Sequence, residues 1–137
     1  MFKVRCFEES DKESVIRLWE LVFPGEPSWN DPLRAIERKV QAQRETFIIA
    51  EDLGAVIGTA MAGDDGYRGW VYYVAVHPDY RLQGVGRELM KAVEQALSDL
   101  GCPQLNLLVR NENISVSGFY KKLGYQTEEK ICMAKIL

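Results

Sequence analysis

No stretch of this chain is apolar for long enough to cross a membrane. Its longest apolar runs, residues 47–50 and 71–76, fall far short of the roughly 18 residues a span needs. Met1, Phe2, Lys3, Val4 and Arg5 hold no apolar stretch of signal-peptide length, so a cytoplasmic location is expected and no membrane partner. Cysteine is scarce: Cys6, Cys102 and Cys132 are odd in number, far apart and form no C-x-x-C pair. That argues against a disulfide framework or zinc site and for buried reduced thiols. No other residue cluster has metal-ligand spacing, so no metal is expected. There is no lysine or arginine run, and the net charge is −3, which excludes the basic signature of a nucleic-acid binder. Low-complexity tracts, linkers and internal repeats are also missing. What remains is ordinary globular composition, 47% hydrophobic and 27% charged in 137 residues, enough for one domain over residues 1–137.

Apolar periodicity supplies the elements. Residues 2–7 read as a strand. Ser10 and Glu13 have capping-box spacing ahead of Val15, Leu18, Trp19 and Val22, which recur at helical intervals. Pro24, Gly25 and Pro27 break that helix. Asp31 as N-cap and Pro32 at the first helical position begin another, with Leu33, Ile36 and Val40 on its apolar face. Residues 46–50 and 55–61 read as strands joined through Asp52, Leu53 and Gly54. Residues 70–76 are apolar on both faces, as in a central strand. Residues 85–100 form the clearest helix, with Val85, Leu89, Val93, Ala96 and Leu100 on one stripe and Gly101 ending it. A strand at 105–109, a short helix at 114–123 stopped by Gly124, and a strand at 131–136 complete the chain. The fold class is α/β (α+β): helices flanking a mixed, mostly antiparallel sheet.

The segment from Val76 through His77, Pro78 and Arg81 to Gly86 joins the buried strand to the strongest helix. The first turn of a helix has unpaired N–H groups and a dipole that favours negative charge. Gly84 and Gly86 remove Cβ atoms that would hold a phosphate away from the backbone, and Arg81 and Arg87 flank the turn. A Walker loop requires G-x-x-x-x-G-K-[ST], which is missing, and the dinucleotide fingerprint requires a third glycine where Leu89 stands. A glycine turn that merely connects two elements is the competing reading.

Arg81-Leu82-Gln83-Gly84-Val85-Gly86 matches the [RQ]-x-x-G-x-[GA] motif of the GNAT superfamily of N-acetyltransferases. Downstream, the segment from Asn113 through Phe119 and Tyr120 to Gly124 and Tyr125 resembles that superfamily's second signature, N-x-x-A-x-x-[FL]-Y-x-x-x-G-[FY], with Val116 at the usual alanine. Trp29-Asn30-Asp31-Pro32, Ile36-Glu37-Arg38-Lys39 and Gly58-Thr59 also resemble the YpeA-like bacterial subgroup. The resemblance spans essentially the whole chain and implies the acyl-CoA N-acyltransferase fold. It implies acetyl-CoA as co-substrate and an amine of a small molecule or peptide as acceptor. Its cofactor contacts would be Arg81, Leu82, Gln83, Gly84, Val85, Gly86 and Arg87 around the pyrophosphate. Main-chain groups of Val74, Ala75 and Val76 would pair with the pantetheine arm, Asn113 would contact the pantetheine side, and Tyr120 would lie near the thioester sulfur.

The implied reaction is direct attack of a neutral amine on the thioester. A lysine-type amine of pKa about 10.4 is about 0.1% neutral near pH 7.4, a cost of roughly 4 kcal/mol, against under about 1 kcal/mol for a terminal amine near 8. Many members of the superfamily carry a glutamate on the central strand as base, but residues 70–76 hold no carboxylate. Glu26, Asp64 and Asp65 are the loop acids that could act through water. Tyr120 is the candidate acid for the leaving thiolate; full transfer from a phenol near 10 to a thiol near 8.5 is uphill by about 2 kcal/mol. A core aromatic is the structural alternative for Tyr120, and local backbone bonding is the expected role of His77. Trp29 is the candidate for acceptor specificity. The missing strand carboxylate keeps open a non-catalytic acyl-CoA-binding sensor or partner module, and the last strand or a helix face offers a homodimer contact.

Overall fold

Alternating apolar residues draw the chain into a five-stranded sheet in the computed structural model, which describes residues 1–137. The elements run β1 (Lys3–Cys6), α1 (Lys12–Val22), α2 (Pro32–Gln43), β2 (Phe47–Asp52), β3 (Ala55–Asp64), β4 (Gly69–Val76), α3 (Val85–Asp99), β5 (Leu105–Asn106) and α4 (Ile114–Lys122). The chain divides into two compact units: residues 1–107, which hold the whole sheet and α1–α3, and residues 108–137, which hold α4. Sheet order is β1-β2-β3-β4-β5, antiparallel except for the parallel pair β4–β5. That is the mixed, mostly antiparallel sheet the residue pattern implies.

Each strand sends alternate side chains to opposite faces. Phe47 and Ile49 of β2 and Val56 of β3 join Phe7, Val15, Leu18, Trp19 and Ile36 in a core beneath α1 and α2. Phe7 stacks on Phe47 with centroids 4.6 Å apart. The other face is covered by α3 through Val85, Leu89, Met90, Val93 and Leu97, all buried. A Cβ on Gly58 would lie 3.0 Å from both Leu89 Cδ1 and Val85 Cγ1, so the glycine lets α3 approach β3 closely. At the outer edge, Arg5 donates to Asp11 at 2.8 and 2.9 Å and to Glu51 at 2.9 Å, tying β1 to β2 and to the start of α1.

Several local expectations shift. The carboxylate that closes the turn before α1 is Asp11, whose Oδ2 accepts from Glu8 N at 2.8 Å, in place of the Ser10–Glu13 pair. Asp31 caps α2 as expected, accepting from Arg34 N at 3.3 Å, but Leu33 is exposed. On α3, Leu97 is buried in place of Ala96 and Leu100, the latter lying past the last helical residue. β5 pairs only two residues, Leu105 and Asn106, and 131–136 form no strand. A strand needs a neighbour to pair with, and the one regular element of residues 108–137 is a helix. The three thiols are free, yet Cys6 and Cys132 are exposed and not buried.

Candidate functional site

β4 runs directly into the glycine turn. His77 N donates to Ile57 O at 2.7 Å, and its Nδ1 accepts from Asp79 N at 3.1 Å, the local structural role expected of this histidine. Tyr80 anchors the turn by donating from its hydroxyl to Asp52 Oδ2 at 3.0 Å, and Gln83 Nε2 donates to Asp79 O at 3.3 Å. The backbone then passes through two left-handed residues, Leu82 (φ 62) and Gly84 (φ 83). Gly84 is the N-cap of α3 and has no side-chain cap, so no side chain satisfies the first-turn N–H groups. Unpaired N–H groups and the helix dipole favour negative charge at this end. Arg81, Leu82, Gln83, Gly84 and Arg87 are exposed around it, while Val85 is buried against the sheet and Gly86 half-buried. The first-signature residues therefore form one accessible, electropositive surface.

The strand feeding this turn is irregular. Thr59 pairs with Ala75 and Met61 with Tyr72, so Tyr73 and Val74 together oppose Ala60: a β-bulge. Tyr73 adopts φ 52, a left-handed conformation that costs a bulky residue roughly 1–3 kcal/mol. Its surroundings hold it there. The Tyr73 ring stacks on Trp19, centroids 3.8 Å apart and 11° from parallel, and Phe23 meets it edge-on at 5.5 Å. Thr59, fully buried, donates from Oγ1 to Tyr73 O at 2.7 Å and accepts from Trp19 Nε1 at 2.9 Å. One hydroxyl thus ties α1 to the bulge. β5 pairs only with Gly69 and Trp70, so the strand ladder on that side of β4 ends before Tyr73, Val74, Ala75 and Val76.

A cavity of about 370 Å³ lies beside the bulge, between the C-terminal end of α1, the following loop and the start of α2. Trp19, Phe23 and Tyr73 line it with aromatic surface, and Glu20 and Glu26 line it with carboxylates. Burial, together with the nearby charges of Glu26 and Asp31, holds the Tyr73 hydroxyl above its ordinary range. Glu26 accepts from Asn30 Nδ2 at 3.1 Å. Of the three loop acids singled out in the sequence, Glu26 alone reaches this cavity. Asp64 Oδ1 accepts from Gly66 N at 2.9 Å, and Asp65 Oδ1 accepts from Tyr67 N and Arg68 N at 2.8 Å each. Those backbone bonds hold Asp65 below the usual carboxylate range, so both aspartates serve the β3–β4 turn. Trp29 is 63% exposed and does not line the cavity; Trp19, which the periodicity reads as core, does.

In the second unit, Asn113 is the exposed N-cap of α4 and makes no side-chain cap to the helix. Tyr120 is buried, 8% exposed, with ring edges against Phe119 and Tyr125 at 5.0 and 5.8 Å. Burial pushes its hydroxyl up to about 12. The phenol is therefore a firm hydrogen-bond donor at any physiological pH.

The bulge and the Thr59 hydroxyl carry no signal that the reading of residues 70–76 as an apolar strand could detect. A bulge depends on how two strands align. The one hint is composition: Gly58 and Thr59, polar and small inside an otherwise apolar strand, mark a close helix approach and a buried hydroxyl.

Residues 12–125 match the Acetyltransferase (GNAT) family. An acetyltransferase of Yersinia enterocolitica is 45% identical over 135 residues, covering 98% of this chain and 95% of that protein. An acetyltransferase of Pectobacterium atrosepticum is 42% identical over 135 residues, with the same coverage of 98% and 95%. Among solved structures, the aminoglycoside N-acetyltransferase AAC(6')-Iy, in complex with the bisubstrate analogue CoA-S-monomethyl-acetylneamine, superposes with a TM-score of 0.85 at 22% identity, covering 100% of this chain and 99% of that one. Glucosamine-6-phosphate N-acetyltransferase from Arabidopsis thaliana gives a TM-score of 0.71 at 23% identity, covering 99% and 98%. The bulged strand, the uncapped glycine turn and both signature segments lie inside the matched region, and the chain belongs to the GNAT family of acetyltransferases.

Proposed function

We propose that this protein transfers an acetyl group from acetyl-CoA to an amine, and that residues 1–137 act as one N-acetyltransferase domain. The observation that carries the reading is the junction of two features in one stretch of chain. A bulge interrupts β4 at Tyr73–Val74, and a helix N-terminus without a side-chain cap follows at Gly84. The CoA-bound aminoglycoside N-acetyltransferase of like fold supports it.

In this reading the pyrophosphate rests on backbone N–H groups of Gln83, Gly84, Val85, Gly86 and Arg87, with Arg81 and Arg87 supplying charge and Leu82 shaping the turn. The amide-rich pantetheine arm pairs as an extended strand with Val74, Ala75 and Val76, where β5 no longer runs alongside. The amine nitrogen, as its free base, attacks the thioester carbonyl carbon. A C–N bond forms, and a main-chain N–H at the bulge, that of Val74, stabilises the oxyanion. Collapse breaks the C–S bond; the thiolate leaves and the surplus proton of the new ammonium passes through water to balance it. Asn113 and Tyr120 hold their roles by the signature they belong to. Asn113 bonds the pantetheine side, and Tyr120 donates to the developing thiolate. Transfer from a phenol near 12 to a thiol near 8.5 is uphill by about 5 kcal/mol, so Tyr120 acts as a hydrogen-bond donor and not as a full acid. This revises the smaller cost that an unperturbed phenol implies. The amine loses its proton to water before it attacks.

The test is free-thiol release from acetyl-CoA with a panel of amines, alongside calorimetry with CoA. CoA binding with turnover of an amine supports the proposal. CoA binding without turnover of any amine favours an acyl-CoA-binding module, and no CoA binding rejects the site.

A further inference from the structure

Acetyl transfer leaves a question that the cavity beside the bulge answers: which amines are held there. The reacting nitrogen must be neutral when it attacks, because a protonated amine has no lone pair. Groups that attract cations would hold that nitrogen protonated before attack and raise the cost of freeing its lone pair, so a cation-binding cavity serves better to hold a second charge that does not react. Yet the cavity is built for a cation. Phe23 and Tyr73 supply its aromatic surface, with Trp19 buried behind Tyr73, and ring faces attract ammonium and guanidinium groups. Its acidic side chains are Glu20 and Glu26, and no lysine, arginine or histidine lines it. Asp31 lies close enough to act on the Tyr73 hydroxyl together with Glu26. The ion pairs of this half of the fold are elsewhere, around Arg5, Glu9 and Asp52. Glu26 bonds only the neutral amide of Asn30, and Asp31 is spent on the α2 N-cap. The negative charge here is uncompensated by the protein.

We propose that the acceptor is a small dicationic amine, one amino group of which loses its proton and is acetylated at the bulge while a second, still charged, is held against Phe23 and Tyr73 by Glu20 and Glu26. The inference rests on the acetyl-transfer reading. At about 370 Å³ the cavity suits a ligand of small-metabolite size. The second cation is bound equally in ground and transition states, so it acts through kcat/KM, with the larger share in KM.

The experiment compares 1,5-diaminopentane with pentylamine, which has the same carbon chain and one charge. Thiol release should give a kcat/KM for the diamine at least about 10-fold above the monoamine. Glu26→Gln combined with Glu20→Gln should bring that ratio to within about 3-fold of one. Glu13→Gln, a single charge removal on α1 away from the cavity, should leave the ratio as it is. Equal use of the two amines, or a ratio that survives the double substitution, overturns the proposal. Calorimetric binding of each amine to the CoA-loaded protein keeps the test independent of turnover. Tighter binding of the diamine, lost in the double variant, supports the cavity assignment even if no thiol is released; equal affinities overturn it. CoA affinity, measured first and alone, reports on the cofactor reading separately.

Discussion

Replacing Thr59 by valine keeps the side-chain shape and removes one hydroxyl. In the folded protein that hydroxyl makes two bonds, accepting from Trp19 Nε1 at 2.9 Å and donating to Tyr73 O at 2.7 Å, with no exposure to solvent. The substitution leaves an indole N–H in the core and a bulge carbonyl without that partner. A buried polar group left unsatisfied costs about 1–3 kcal/mol, and the extra methyl returns less than about 1 kcal/mol of burial. The sum is about 3 kcal/mol, or a fall in Tm of about 10 °C for a chain of this size. The consequence for catalysis follows from Tyr73, which holds φ 52. Without the Thr59 tether, the strain of that conformation favours slippage of the bulge, and the N–H assigned to the oxyanion moves with it. Turnover should fall by roughly 10- to 100-fold, while CoA affinity, set at α3, stays within a few-fold. Urea unfolding read by tryptophan fluorescence, thiol release and calorimetry measure the three quantities. A loss of under about 1 kcal/mol, or full turnover in a destabilised variant, would refute the argument that this hydroxyl holds the bulge.

Gly86→Glu should abolish CoA binding in calorimetry, because it sets charge and bulk in the first turn of α3; near-normal affinity would count against the site. Tyr120→Phe should lower kcat about 10-fold or more with CoA affinity little changed. In the parent protein the phenol near 12 stays protonated, so kcat/KM should rise with pH as the amine deprotonates and show no descending limb up to about pH 10; a fall near pH 9 would contradict that assignment. Asp11→Asn should cost about 2 kcal/mol in urea unfolding, since it breaks the paired contacts at 2.8 and 2.9 Å with Arg5. Burial opposes the charge on Asp11, but the bonds from Arg5 and Glu8 prevail and its folded pKa lies below the ordinary value. Its stabilisation is therefore complete above about pH 4 and lost as pH falls through the folded value, and the variant should lose stability less steeply over that acid range.

What the residues alone reveal is whatever is local. Asp31-Pro32 announces the start of α2 because a cap and a fixed φ act within one turn. Gly84 announces the start of α3 for the same reason, and the two signature segments need only their own spacing. The bulge at Tyr73–Val74 depends on how β4 aligns with β3, and its tether is Thr59, 14 positions away along the chain, itself bonded to Trp19 a further 40 positions away on α1. Such features are tertiary, and alternation within residues 70–76 does not encode them. Asp64 and Asp65 look like catalytic candidates by type, but short backbone bonds commit them to a turn. Trp19 lies in the core as its spacing implies and also borders the cavity, while Trp29 is exposed away from it; helical spacing shows which residues face inward, without showing where the core opens into a cavity.

The proposed function requires the diphosphate to lie against the first-turn amides of α3. Titrating isotopically labelled protein with CoA and following backbone amide signals tests this directly. The largest shifts are expected at Gln83, Gly84, Val85, Gly86 and Arg87, with a second set along Val74–Val76. Stationary signals at 83–87, with the perturbation centred elsewhere in the sheet, would contradict it.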